Sequence, residues 1–427
     1  MRKVLIIANL FYASPRMPGL AKYLPEFGWQ PIILTTPLGD RPDESFGPPN
    51  DFKKKNRVVE TFGYISRKDA AFRTKERLNL ASKKSYRYVR PFLRFLYKYY
   101  LELVQYPDAE KGWKSFAVKA GNELLQSEDI DVMISSSSPV TCHIIAKELK
   151  SRHNIPWVAD LRDLWTQNHD YPYSSLRKLL ETRLERKTLS AADALVTVSQ
   201  PWAKKLEMLH KREAYAITNG FDPDKMSNGK ASLTSKFTIT YTGQIYSARA
   251  KQDPSKLFLA LKDLISLGAM DPKDVEVRFY GSENRSLASK IEEYGLWTIV
   301  KQCGIVSREI SFEKQRESQL LLLLKWEDPQ ERGWHSLKIF EYLAARRPVL
   351  ATGGTDDILT ELLNETNAGI DAQAVDDVKN ALMKFYTEYK LRGKVSYLGN
   401  MEQVNKYSYR EMAGKFAEVF NTITTKH

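Results

Sequence analysis

Gly333–Thr352, GWHSLKIFEYLAARRPVLAT, reads as a polar turn, a helix over Leu337–Ala344 and a strand over Val349–Ala351. Ser336 is a candidate helix N-cap, because its side-chain oxygen can accept a first-turn N–H. Arg346-Arg347-Pro348 closes the helix, since proline cannot continue one. The strand that follows has no polar alternation, the pattern of a strand covered on both faces. A helix feeding directly into such a strand is one unit of a parallel sheet, so the question is whether the unit recurs.

It recurs on both sides. Ahead of it lie strands at Thr238–Thr242, Val275–Tyr280, Trp297–Gln302 and Leu320–Lys325. Helical patterns at Lys256–Leu267, Ser286–Tyr294 and Ser311–Gln319 separate them, and Ile358–Leu363 follows. The first half repeats the alternation, with strands at Val4–Asn9, Pro31–Thr35, Asp131–Ser135, Trp157–Asp160, Ala194–Ser199 and Tyr215–Thr218. Its helices are expected at Leu20–Phe27, Ala117–Leu125, Val140–Arg152, Ser175–Ser190 and from Pro201 to Leu209. Two such blocks, joined near Asn219–Lys236, predict an α/β protein of two doubly wound, Rossmann-like domains facing a central cleft. The expected boundaries are 1–218, 219–404 and a C-terminal segment 405–427. Tyr409–Ile423 in that segment reads as an amphipathic helix packing back onto the first domain. Ligands of such folds sit at the carboxyl ends of strands.

Composition narrows the function. The 427 residues are 42% apolar and 27% charged, ordinary for a folded, water-soluble chain. Two cysteines, Cys142 and Cys303, are too few for a disulfide framework or a thiolate metal site, and the six histidines show no zinc spacing. The longest purely aliphatic run is Leu320–Leu324, far short of the roughly 20 residues that span a bilayer. Met1–Ala13 reads as a strand entering a fold, not a leader, because Asn9 interrupts its apolar stretch. No GxxxxGK[ST] and no GxGxxG occurs, which argues against an ATPase or an ordinary dehydrogenase. Asp129–Asp131 and Asp222–Asp224 are DxD spacings at about the chance level, and no metal site is assigned to either.

The charge is local. Net charge is +13, and Phe52–Lys98 holds 15 Lys/Arg against Glu60, Asp69 and Glu76. Arg87, Arg90, Arg94 and Lys98 recur at the spacing of one helix face among aromatic residues. A basic amphipathic helix suits an anionic membrane surface, so 52–106 is the expected docking segment. The alternative is a core-packing helix whose cations face water, and Pro91 weakens a single unbroken helix. Nucleic acid is the weaker partner, since no nucleic-acid motif accompanies the stripe.

Two constellations carry candidate chemistry. At the start of the Leu337–Ala344 helix, the N–H groups of Ser336, Leu337 and Lys338, the helix dipole and the Lys338 ammonium suit a diphosphate. Glu341, one turn on, can accept both hydroxyl protons of a ribose. Asp160, Arg162 and Asp163 stand where a buried strand ends, flanked by Trp157 and Trp165. Arg162 can bind an acceptor phosphate and one aspartate can orient an acceptor hydroxyl; a loop-fixing Asp160–Arg162 ion pair is the structural alternative.

With those residues in view, the chain resembles the retaining glycosyltransferases of family 4, which have the GT-B fold. Gly333–Thr352 is similar to their nucleotide-sugar signature. Pro18-Gly19-Leu20 resembles the first-domain loop that faces the diphosphate, and WVADLRDLW (157–165) the acceptor-side strand end of a bacterial branch. AADALVTVSQ (191–200) and ITNGFD (217–222) are similar to a strand and the interdomain segment. Tyr241–Gln244 with Arg249 resembles the phosphate-contacting loop of the second domain. Tyr280-Gly281-Ser282 and Gly304-Ile305-Val306 match the segments lining the base pocket. One position departs: the first of two signature glutamates is Gly333 here, with Glu331 two places early, and this leaves the donor sugar open.

The resemblance implies transfer of a sugar from a UDP- or GDP-sugar to an acceptor hydroxyl with retention, a hexosyltransferase-type reaction. Catalysis would fall to Asp160, Arg162, Asp163, Arg249 and Lys338. Donor binding would fall to Gly19, Gly243, Gln244, Arg249, Gly281, Val306, Ser336, Leu337, Lys338 and Glu341. It implies no metal and no cofactor beyond the nucleotide-sugar substrate. The acceptor would be a lipid-linked glycan of polysaccharide synthesis, and the protein cytoplasmic, peripheral on the inner face of the plasma membrane. The alternatives are a nucleotide-sugar epimerase on the same fold and a non-catalytic protein that binds anionic lipid or nucleic acid.

Overall fold

The computed structural model describes residues 1–10, 15–38, 48, 51–62, 100, 102–168, 171, 173–225, 232–245, 252–326, 333, 336–354 and 357–425. Arg249, Glu331 and the basic stripe Arg87, Arg90, Arg94 and Lys98 lie outside the described residues, as does most of the expected docking segment 52–106. Two compact units form, Met1–Ile217 with Ala413–His427, and Thr218–Met412.

The first unit is a seven-stranded sheet, all of whose recorded pairings are parallel, in the order β3-β2-β1-β4-β5-β6-β7. Its strands are β1 (Arg2–Ala8), β2 (Trp29–Thr35), β3 (Arg57–Glu60), β4 (Val132–Ser137), β5 (Trp157–Leu161), β6 (Ala194–Thr197) and β7 (Ala214–Ala216). Among the described residues of 1–217, the helices of eight residues or more that serve it are α1 (Arg16–Tyr23), α2 (Lys114–Ser127), α3 (Thr141–His153), α4 (Gln200–His210) and α5 (Ser175–Leu189), the last preceding α4 in the chain. The chain winds outward from β1 to β3 and then restarts on the other side of β1 at β4. That reversal leaves a switch point between β1 and β4, where the carboxyl ends of the strands open a crevice.

The second unit repeats the plan with six parallel strands in the order β10-β9-β8-β11-β12-β13. They are β8 (Phe237–Thr242), β9 (Val275–Tyr280), β10 (Val300–Gly304), β11 (Leu320–Leu324), β12 (Val349–Thr352) and β13 (Gly369–Ala372). Helices α6 (Ser255–Ser266), α7 (Arg285–Tyr294), α8 (Arg308–Glu317), α9 (Leu337–Ala345), α10 (Ile358–Thr366) and α11 (Val375–Arg392) cover it. The five leucines of β11 show why periodicity is absent from its sequence. Leu320, Leu322 and Leu324 join a cluster with Phe258 and Leu261 of α6 and Leu382 of α11. Leu321 and Leu323 join the opposite one, with Ile339 and Leu343 of α9 and Leu362 of α10. Both faces are dry, so both sets of alternate positions are apolar.

The C-terminal helix α12 (Tyr409–Thr424) begins in the second unit, where Tyr409 N donates to Phe221 O at 2.8 Å. From Ala413 on it belongs to the first, as the crossing helix expected from the sequence. There Phe420 meets Trp29 edge to face at 5.3 Å, and Trp29 Nε1 donates to Asn421 Oδ1 at 3.2 Å.

Several local expectations change. Pro18-Gly19-Leu20 is not a loop: it lies inside α1, with Gly19 N bonded to Pro15 O at 2.8 Å. The helix expected at Ser311–Gln319 spans Arg308–Glu317, because the serine that caps it is Ser307, whose Oγ accepts from Ile310 N. Residues 297–299 form a turn ahead of β10, so the strand expected from Trp297 starts at Val300. Strands β3 and β13 are additions, each half-exposed and carrying charged residues, the signature of a sheet edge rather than a buried strand.

Candidate active site

The second unit's switch point lies between β8 and β11. Just past β8, Gly243 takes φ +106°, and its N–H donates to Tyr280 O at 2.7 Å. The next strand end is tied likewise, Gly281 N donating to Gly304 O at 2.9 Å. A β-carbon on Gly243 would stand 2.6 Å from Lys338 Cε and 3.3 Å from its Nζ. The lysine therefore lies directly across the glycine, where a side chain at 243 would be strained at this φ and would push the lysine's end aside. Its Nζ is 5.1 Å from the centre of the Tyr241 ring. Burial pushes the Lys338 ammonium down to about 8, partly offset by the Glu341 carboxylate.

Lys338 is the second residue of α9, and Ser336 is its N-cap in extended backbone. The Ser336 hydroxyl makes no capping bond, a departure from the sequence expectation. Residues 337 and 338 occupy the turn whose N–H groups have no intrahelical acceptor, so these amides and the ammonium converge at one helix end. Glu341 follows one turn later, partly exposed, with Arg308 Nη2 at 3.3 Å and Gln315 Nε2 at 3.4 Å. Gln315 is buried and also donates to Thr242 Oγ1 at 2.8 Å. Tyr342 Oη accepts from Thr242 N at 3.2 Å, fixing α9 against the end of β8.

Of the remaining candidates here, Gln244 is exposed just past Gly243, its carbonyl accepting from Tyr241 Oη at 3.0 Å, and Val306 is half-buried beyond β10. Gly333 has φ +97°, a conformation that strains any side chain, which accounts for glycine where the family places a glutamate. Thr242 lies in the loop singled out from the sequence, but the roles of Arg308, Gln315 and Tyr342 were not anticipated. Only Arg308 had a signal: with Ser307 taken as the cap, it falls on the first turn of α8. The other two depend on which elements the sheet brings together.

In the first unit Asp160 is the penultimate residue of β5, completely buried. Arg16 Nη2 donates to its Oδ1 at 2.9 Å and Arg16 Nε to its Oδ2 at 3.2 Å, while Ser136 Oγ donates to Oδ2 at 2.7 Å. Arg16 is also buried, gives Ile217 O a 2.9 Å hydrogen bond, and lies 5.1 Å from the Phe416 ring. The carboxylate is thus spoken for by a bidentate partner at α1, which the sequence reading had not paired with it. Arg162 and Asp163 pair with each other at 3.2 Å in the loop beyond, Asp163 partly exposed. Gly19 stands buried within α1, so its backbone is engaged in the helix and not in a diphosphate loop. Structure therefore brings Gly243, Lys338 and Glu341 into one neighbourhood, with Gly281 behind them. It keeps Asp160 inside a structural ion pair.

Residues 19–225 match the family model described as Glycosyltransferase Family 4. No curated protein matches the chain. Among solved structures it is similar to the sucrose-phosphate synthase of Thermosynechococcus elongatus, at 13% identity over 100% of both chains with a TM-score of 0.63. It is similar to a glycosyltransferase from Rickettsia africae at 14% identity, covering 100% of this chain and 99% of that one, with a TM-score of 0.63. Alr3699/HepE of Anabaena, in complex with UDP and glucose, is 12% identical over 99% of this chain and 100% of its own, with a TM-score of 0.61. Two doubly wound parallel sheets in succession are the GT-B fold, which the chain shares with these proteins, and its residues 19–225 match glycosyltransferase family 4.

Proposed function

We propose that the chain transfers a sugar from a nucleoside diphosphate sugar to the hydroxyl of a lipid-linked glycan, with retention of anomeric configuration. The observation that carries the donor reading is the position of Lys338, half-buried, laid across Gly243 and seated in the first turn of α9. A cation and helix amides at one place suit an anion whose charge grows as it leaves. In the reaction the bond from the anomeric carbon to the phosphate oxygen breaks and the acceptor oxygen bonds to that carbon. The acceptor proton passes to the departing phosphate oxygen, so no histidine base is required. Glu341 takes the two ribose hydroxyls in place of its present partner Arg308. Arg249, from outside the described residues, supplies a second cation, and Arg162 with Asp163 meets the acceptor. The reading uses no metal and no resident cofactor. UDP-sugars are the first donors to try, since Alr3699/HepE is recorded in complex with UDP and glucose.

A thermal-shift screen of UDP- and GDP-sugars tests the donor half. One base should raise the melting temperature by a few degrees at a large excess over Kd, and Glu341→Ala should remove the shift. No shift with any donor, or one untouched by that substitution, sinks the reading. Free diphosphate with epimerised sugar and no need for an acceptor would point instead to an epimerase.

Among the described residues no helix is long and apolar enough to cross a membrane. The membrane half of the reading rests on the charge of 52–106. Co-sedimentation with anionic vesicles that survives replacing Arg87, Arg90, Arg94 and Lys98 together by glutamine would remove that stripe from it.

A further inference from the structure

We infer that the solvent face of α5, Ser175–Leu189, is a docking surface for an anionic lipid bilayer. The helix is built inside out. Its acids point inward, Glu181 at 2% and Glu185 at 0% exposure, and its leucines outward, Leu176 at 69%, Leu179 at 51% and Leu180 at 45%. A surface helix of a water-soluble protein does the reverse.

Buried pairing locks this orientation. Glu181 accepts from Arg177 Nε at 2.6 Å and from Trp165 Nε1 at 2.9 Å. Glu185 accepts from Thr166 N at 3.1 Å and faces His210 Nε2 at 3.4 Å. Rolling the leucines inward would strand these charges, so the apolar face stays out.

What surrounds the leucines identifies the partner. The exposed ionisable side chains of α5 are Lys178, Arg183, Arg186 and Lys187, and all four are basic. Arg177 Nη1 reaches Glu102 O at 2.7 Å, its Nη2 reaches Pro107 O at 2.8 Å, and Ser174 Oγ donates to Glu102 Oε2 at 2.7 Å. These bonds hold 102–107 against the start of α5, and Leu103 there is 77% exposed. Leucines that enter the acyl boundary, ringed by cations that meet headgroup phosphates, are the composition of an interfacial helix. A second copy fits poorly, because a two-fold contact through this face would set basic residues against basic residues. The inference rests on the membrane-acceptor reading for its purpose, although its membrane-facing residues other than Leu103 lie outside the 52–106 segment.

The test is co-sedimentation of the full chain with phosphatidylcholine vesicles made with and without phosphatidylglycerol. The unaltered chain should pellet with the anionic vesicles and be released by salt. Leu176→Ser/Leu179→Ser/Leu180→Ser should lower partitioning about tenfold. The variant Lys178→Gln/Arg183→Gln/Arg186→Gln/Lys187→Gln should do the same, and it keeps the test alive should the leucine variant fold badly. Both should keep the donor-induced thermal shift. Binding equal to the unaltered chain in the glutamine variant overturns the inference. So does an unaltered chain that stays in the supernatant, or a dimer in sedimentation equilibrium that the leucine substitutions dissolve. Vesicle binding without any donor shift would instead overturn the donor reading and leave the docking face standing.

Discussion

Lys338→Ala is expected to lower sugar transfer about 10²–10³-fold, the usual scale for removing one preorganised group from a developing anion. The donor-induced thermal shift should vanish with it. The unliganded protein should be no less stable. Burial holds this ammonium near 8, below the ordinary lysine value, so at neutral pH its charge opposes folding rather than assisting it. Loss of activity without loss of stability separates a functional lysine from a structural one, whose removal would cost both. The same shift sets a pH dependence. Below about 8 the free site is charged and attracts a diphosphate; above it the site must take up a proton to do so. Donor Kd should therefore rise as pH passes through 8, by no more than about tenfold per pH unit for one proton. Titrations of donor binding across that range should show the rise in the unaltered chain and a flat profile in Lys338→Ala. A parallel rise in both would assign the titration to another group.

Asp160→Ala should cost about 3–5 kcal/mol of stability, because it leaves the buried Arg16 guanidinium without its counter-charge. Arg16→Ala should cost a similar amount. The pair is bidentate and excluded from water, so solvent cannot replace either partner. Denaturant unfolding of the two single variants and the double variant reads this directly. A double-variant loss well below the sum of the singles is the expected sign of coupling. Asp160→Asn offers the opposing outcome. A variant that keeps its melting temperature but loses transfer would return a chemical role to this residue, beyond positioning the end of β5 against α1.

Much of the fold was legible because buried parallel strands announce themselves. VLII (4–7) in β1, the leucines of β11 and VLAT of β12 need no partner to be recognised, since both their faces must be apolar. The edge strands β3 and β13 were not, because a half-wet strand carrying arginine, glutamate or aspartate looks like a loop. At the candidate site the helix start at Lys338 and the carboxylate at Glu341 were visible from local rules of helix capping and spacing. The contacts that hold them were not. Gln315 reaches Glu341 and Thr242 across 26 and 73 positions, and Lys338 meets a glycine nearly a hundred residues earlier.

Asp160 marks where local reading ends. Its place at a strand's carboxyl end followed from the order of residues, and so did its nearness in sequence to Arg162 and Asp163. Its actual partner is Arg16, 144 positions away, brought there because β1 and β5 flank β4 in one sheet. The outward leucines of α5 are of the same kind: their pattern suggests a buried face, and only the inward pairing of Glu181 and Glu185 turns it to solvent. Propensity and hydrophobic pattern act over a few residues and so can be read along the chain. Which charge neutralises which is settled when distant strands pair, because Coulomb attraction and desolvation depend on separation in space and not on position in sequence.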